Sequence, residues 1–174
     1  KHTTFGMGGP ADLFFFPADL DDLAKAIPLV RDSGLPVLPV GGGTNMLACE
    51  AGFRGVVICL TGGANRIRVE ANRGLVQAGA SLQVFSRRCG RAGRTGMEFG
   101  CGIPGTVGGA IWGNAGAWGR ETLQRLDWLR GVDLRSGEAV EFRWRTQVEE
   151  AAKELKQRLA AIQETDSDPN GDLN

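Results

Sequence analysis

Apolar and polar positions alternate along the chain in a short series of distinct patterns. Residues 13–16 form a continuous apolar run, which predicts a strand. Pro17 and Asp19 then punctuate the chain. After them Leu20, Leu23, Ala24, Ile27 and Val30 recur at the spacing of one helix face. Asp19 suits the N-cap, Asp21 and Asp22 the first turn, and Gly34 a C-terminal stop. Pro28 interrupts that face and predicts a kink or an early end. Residues 35–40 and 56–60 read as buried strands, the first running straight into Gly41-Gly42-Gly43-Thr44-Asn45. Strand, helix, strand and glycine-rich turn together predict a small α/β lobe over residues 1–62.

The pattern changes after residue 62. Residues 67–70 and 75–78 flank Asn72-Arg73-Gly74, which predicts a hairpin. Ser81 can cap a helix that turns Leu82, Phe85 and Cys89 inward and ends near Gly90 or Gly93. Residues 126–134 and 138–142 flank Arg135-Ser136-Gly137 and predict a second hairpin. Residues 63–146 thus read as an α+β lobe built on antiparallel pairs. From Val148 the pattern is helical, with Val148, Ala152, Leu155, Leu159 and Ile162 on one stripe and favourable Glu149–Lys153 and Glu154–Arg158 pairs. A C-terminal helix over 147–164 and a disordered tail over 165–174 are expected.

Charge and composition narrow the chemistry. The 174 residues carry 20 basic and 20 acidic side chains, so no global field favours nucleic acid or an anionic membrane. No apolar run reaches bilayer length. The first residues, Lys1-His2-Thr3-Thr4, contain neither an initiator Met nor a signal peptide, so a trimmed start is expected. Cys49, Cys59, Cys89 and Cys101 form no C-x-x-C pair, and His2 is the single histidine. No metal site of ordinary spacing can be built from them, and neither a Cys–His pair nor a Ser–His–acid triad is supported. Reduced thiols in a cytoplasmic protein are expected, with the chemistry belonging to a bound cofactor.

Residues 95–119 carry the densest signal. Glycines crowd this stretch, with Ile103, Val107, Ile111 and Trp112 among them. Glycine costs backbone entropy, so this density calls for positive-φ turns or main chain lying against a ligand. Gly41 to Asn45, after a strand, can curl its amides into an anion-binding nest, with a plain tight turn as the alternative. It lacks the G-K-[ST] of a nucleoside-triphosphate loop. Gly100, Gly102 and Gly105 match the spacing of the dinucleotide fingerprint. Pro104 in the turn and the absence of a strand–turn–helix context argue against that reading.

Taken together these residues resemble the UDP-N-acetylenolpyruvoylglucosamine reductase (UDP-N-acetylmuramate dehydrogenase) family. Thr4-Phe5-Gly6-Met7-Gly8-Gly9-Pro10-Ala11, Gly41 to Leu47, Gly52 to Ile58, Gly79 to Leu82, Gly96 to Phe99, Gly102 to Ala110 and Asn114 to Ala117 match in order. The resemblance implies an α+β, two-lobed FAD-binding domain of the vanillyl-alcohol-oxidase (PCMH) type. It implies that Gly41, Gly42, Gly43, Thr44, Asn45 and Met46 hold the FAD pyrophosphate. Gly102, Ile103, Pro104, Gly105, Thr106, Gly108, Gly109, Ala110, Asn114 and Gly116 would line the cofactor towards its flavin ring. NADPH would be the co-substrate and a UDP-sugar the small-molecule substrate of peptidoglycan precursor synthesis.

The resemblance further implies an arginine that polarises the substrate carboxylate, and Arg145 in Phe142-Arg143-Trp144-Arg145-Thr146 is the candidate. A surface-strand arginine is the alternative. The family's proton-donating serine and C-terminal glutamate find no counterpart in these residues. A missing substrate domain or partner chain is therefore expected. The competing readings are a non-catalytic FAD-binding module and a related flavin oxidoreductase with another substrate.

Overall fold

The computed structural model describes residues 2–145, 147–148 and 150–154. The chain divides into two units. One comprises Lys1–Arg125 and Gly131–Val140, the other Leu126–Arg130 and Glu141–Asn174.

The first unit opens with β1 (Ala11–Phe15), α1 (Leu20–Asp32), β2 (Val37–Val40) and β3 (Phe53–Cys59). The three strands form a parallel sheet in the order β1-β3-β2, with Phe15 beside Ile58 and Val40 beside Cys59. The α/β reading of these residues holds. β3 is the central strand and buries five consecutive residues, Gly55 to Cys59, as a strand covered on both faces must. Asp19 caps α1 by accepting the Asp22 amide at 2.9 Å, and Gly34 follows the helix at φ +68°. The helix does not stop at Pro28 but runs on to Asp32. The apolar face explains this, because Ile27 is only 1% exposed and packs on Val56 and Ile58, with Leu23 and Val30 alongside. That burial offsets the hydrogen bond the proline cannot donate.

The chain then forms a hairpin, β4 (Ile67–Val69) and β5 (Gly74–Val76), with Ile67 opposite Val76. Helix α2 (Leu82–Arg91) follows, capped by Ser81, whose Oγ accepts the Val84 amide at 3.3 Å. Its inward face matches the predicted one: Leu82, Phe85 and Cys89 join Ala80, Val107 and Ala110 in a second core cluster. A 3₁₀ turn (Glu98–Cys101), the six-residue α3 (Val107–Trp112) and a two-residue hairpin, β6 (Gly116–Ala117) with β7 (Arg120–Glu121), complete the glycine-rich region. No strand leads into Gly100, so a Rossmann turn is not formed there.

β8 (Trp128–Val132) pairs with β9 (Ala139–Arg143), the predicted second hairpin. In the second unit the chain is helical at 144–145, 147–148 and 150–154. The predicted helix face beyond residue 154, and the tail, lie outside the described residues.

Candidate functional site

β2 hands the chain to Gly41 at its carboxyl end, the edge of a parallel sheet where ligands are ordinarily received. Among the described residues, the amides of Gly41, Gly42, Gly43, Thr44 and Asn45 donate no hydrogen bond within the protein. Five consecutive amides without a protein acceptor, from buried Gly43 to exposed Asn45, suit the oxygens of an anionic group. The turn is held from outside: the Thr4 amide donates to the Gly43 carbonyl at 3.0 Å and the Leu60 amide to the Val40 carbonyl at 3.1 Å.

Residues 102–106 are fixed by a different neighbour. Leu82 donates to the Gly105 carbonyl at 3.0 Å, and Val107 and Gly108 donate at 2.8 Å to the carbonyls of Ala80 and Ala78. Ser81 and Thr106 form an isolated antiparallel bridge. Thr106 also caps α3, its Oγ1 accepting the Gly109 amide at 3.2 Å. The Gly105 and Thr106 amides have no acceptor among the described residues.

The two glycine-rich elements meet through their threonines. Thr44 Oγ1 would lie 2.7 Å from a Cβ placed on Gly105, and it donates to the Pro104 carbonyl at 3.5 Å. Reciprocally, a Cβ on Gly41 would collide with Thr106 Oγ1. Gly42 approaches the Gly105 Cα, at 3.5 Å from its own Cβ position. Each threonine therefore fills the space that the opposite glycine leaves. The outcome is one concave strip of backbone lined by unpaired amides and carrying no charged side chain of its own.

Asn114 closes the far end. It adopts φ +43°, donates through Nδ2 to Glu121 Oε2 at 2.8 Å and accepts the Leu123 amide at 3.0 Å through Oδ1. Gly116 follows in β6, and Ile103 donates to the Gly100 carbonyl at 3.4 Å. Met46 lies at the exit of the first turn and is half-buried. Arg145 belongs to the second unit, where its Nε pairs with Asp127 Oδ1 at 2.8 Å.

A cavity of about 420 Å³ lies beside this strip, lined by Thr95, Gly96, Glu98, Phe99, Trp118, Arg120 and Arg125. Both Glu98 carboxylate oxygens accept the Gly96 amide, at 2.9 and 2.8 Å. That bond and the Glu98 amide hold the carboxyl below its ordinary range, with Arg120 and Arg125 adding to the effect. Burial, and secondarily Glu98, pushes the Cys89 thiol up, so it stays protonated and unreactive. Sequence reasoning did not single out Trp118, Arg120 or Arg125. The available signal was Trp118-Gly119, a dipeptide between short strands with a bulky residue where small ones are usual.

Comparison with known proteins agrees with this geometry. A family model described as "FAD binding domain" matches residues 11–143. The UDP-N-acetylenolpyruvoylglucosamine reductase of Geobacter sulfurreducens is 42% identical over 153 residues, covering 83% of this chain and 50% of that protein. The enzyme of the same name from Heliobacterium modesticaldum is 40% identical over 151 residues, with 83% and 48% covered. The crystal structure of UDP-N-acetylenolpyruvylglucosamine reductase from Thermus caldophilus superposes with a TM-score of 0.68 at 29% identity, over 83% of this chain and 50% of that one. 6-Hydroxy-D-nicotine oxidase from Arthrobacter nicotinovorans shares the fold, with a TM-score of 0.61 at 19% identity over 79% of this chain and 31% of its own. The chain thus spans about half the length of the curated relatives it matches.

Proposed function

The chain belongs to the FAD binding domain family, and from that premise we propose that it forms the FAD-holding half of a cytoplasmic UDP-N-acetylenolpyruvoylglucosamine reductase. The reaction is the NADPH-dependent reduction of an enolpyruvyl UDP-sugar to UDP-N-acetylmuramate, in peptidoglycan precursor synthesis. The observation that carries this reading is the pair of glycine-rich turns interlocked by Thr44 and Thr106, with a row of unpaired amides along them. A dinucleotide cofactor supplies what that strip lacks: pyrophosphate oxygens for the amides, and a flat ring for a glycine-rich surface without charged side chains.

In this reading Gly41 to Asn45 bind the pyrophosphate through backbone donors, and Thr44 adds a hydroxyl. Gly102 to Ala110, with Asn114 and Gly116, face the ring and exclude water from it. Held there, FAD would supply the hydride chemistry that links NADPH to the enolpyruvyl double bond. Arg145 is assigned to the substrate carboxylate. Its present partner, the Asp127 carboxylate, presents the same chemistry to the guanidinium. The serine that donates the proton and the assisting glutamate belong, in this reading, to the part of the relatives that the chain does not match.

The test is spectroscopic. The purified protein should be yellow, its flavin absorption should bleach with NADPH, and it should recover when the enolpyruvyl UDP-sugar is added in the presence of the substrate domain. A chain that takes up no FAD at micromolar concentration refutes the proposal.

A further inference from the structure

Trp118 stands at φ +53° and Gly119 at +73°, the two central residues of the β6–β7 hairpin. Both positions of such a turn require the left-handed region, where Gly, Asn and Asp are at ease and a bulky aromatic is strained. Trp118 is nevertheless 79% exposed, so no burial of its ring compensates for the strain. Strain of this kind persists where it holds a group in a useful place. The indole is aimed across Gly102, where a Cβ would meet its Cη2 at 3.7 Å, and it walls the cavity described above.

Arg120 and Arg125 share that cavity. Neither guanidinium has a carboxylate within 4.0 Å or a hydrogen-bond acceptor among the described residues. Arg125 lies flat over Gly96, its Cζ 3.5 Å from a Cβ position there. The nearby carboxylate of Glu98 is turned to the Gly96 amide. Both arginines act on the Glu98 carboxyl only through space, so the cavity offers two guanidinium forks without a direct ion pair beside one exposed aromatic plane. Guanidinium forks match phosphate oxygens, and an indole face stacks on a planar heterocycle. Its volume is within the range of small-molecule sites.

We propose that Trp118, Arg120 and Arg125 form a nucleotide-phosphate subsite that receives the phosphate end of a nucleotide co-substrate, beside the turns that hold the cofactor. The inference rests on the FAD reading for what lies beyond Gly102, and its own residues are separate from the glycine-rich turns. UDP and NADP⁺ both carry the required chemistry, so each is a separate arm of the test.

Isothermal titration of the flavin-loaded chain with UDP, with NADP⁺ and with inorganic phosphate tests the assignment. Arg120→Met/Arg125→Met should weaken UDP or NADP⁺ binding by about tenfold or more. Arg120→Lys/Arg125→Lys, which keeps the charge and loses the fork, should fall between. Trp118→Leu should weaken the nucleotide and leave inorganic phosphate unchanged. FAD content and melting temperature report on folding in every variant. Loss of UDP binding alone assigns the sugar nucleotide, and loss of NADP⁺ alone the dinucleotide; either supports the subsite. Unchanged affinity in the variants, no binding of either nucleotide by the wild-type chain at millimolar concentration, or parallel loss of FAD would overturn it. A colourless chain that still binds UDP through the arginines sinks the FAD reading and leaves the subsite standing.

Discussion

Gly105→Ala tests the interlock of the two turns directly. Gly105 sits at φ +113°, where an L side chain is strained at a cost of about 1–3 kcal/mol. The new methyl would also lie 2.7 Å from Thr44 Oγ1. Thr44 must then move, and the Gly41–Asn45 turn with it, which adds about 1–3 kcal/mol of overpacking. The total, about 2–6 kcal/mol, is a large share of the roughly 5–15 kcal/mol that a domain of this kind possesses. Urea unfolding followed by circular dichroism should show a lower midpoint at unchanged slope. The two contributions separate in a double-mutant cycle. Thr44→Ala removes the obstructing hydroxyl, so the double variant should recover the overpacking share and retain the φ strain, giving a coupling of about 1–3 kcal/mol. A wild-type midpoint for Gly105→Ala refutes the strained, close-approach geometry. A coupling indistinguishable from zero refutes the interlock, whatever the single variants do.

Other perturbations probe separate parts of the chain. Leu82→Ala empties the centre of the second cluster, where Leu82 is 0% exposed, and should destabilise by about 2–5 kcal/mol in the same unfolding assay. Ser81→Ala leaves the Val84 amide uncapped and should cost about 1 kcal/mol; a loss near zero would show the cap to be idle. Trp118→Asn relieves the left-handed strain and should raise stability by about 0.5–1 kcal/mol while abolishing nucleotide stacking, whereas a lower melting temperature would deny that Trp118 is strained. Glu98 and Asp133 are both held below the ordinary carboxylate range by backbone amides, of Gly96 and Glu98 in one case and of Arg135 and Ser136 in the other. A depressed folded-state value stabilises above the unfolded value of about 4 and is lost as pH falls through the folded one. Unfolding midpoints should therefore be level from about pH 6 to 5 and fall below about 4. Glu98→Gln/Asp133→Asn should flatten that fall, and an unaltered acid limb would show these carboxylates to be inert.

Local elements were legible because their signals are local. The face of α1 could be read from its spacing and Asp19, and that of α2 from Ser81, Leu82, Phe85 and Cys89. Each of these depends on residues within one or two turns. Pro28 was the exception: its neighbours predict a break, and only the sheet under Ile27 explains why the helix continues. Of the site, the glycine density at 41–45 and 102–109 marked both elements but not their contact. Nothing in the order of residues pairs Thr44 with Pro104 across sixty positions. Trp118, Arg120 and Arg125 escaped notice for a related reason, since each is unremarkable until the hairpin and the 3₁₀ turns at Glu98–Cys101 and Leu123–Arg125 bring them to one cavity.

What the sequence determined by itself was therefore the set of pieces: capped helices, a buried parallel strand, hairpin turns, and two glycine-rich stretches of backbone. These follow from propensity, periodicity and the conformational freedom of glycine, which act over a few residues. What only the tertiary structure decided was complementarity. Thr44 occupies the space above Gly105 and Thr106 the space above Gly41, while the amides between them stay unpaired. Close approach of two main chains is a property of the packed interior, where each missing Cβ matters only for what lies opposite it.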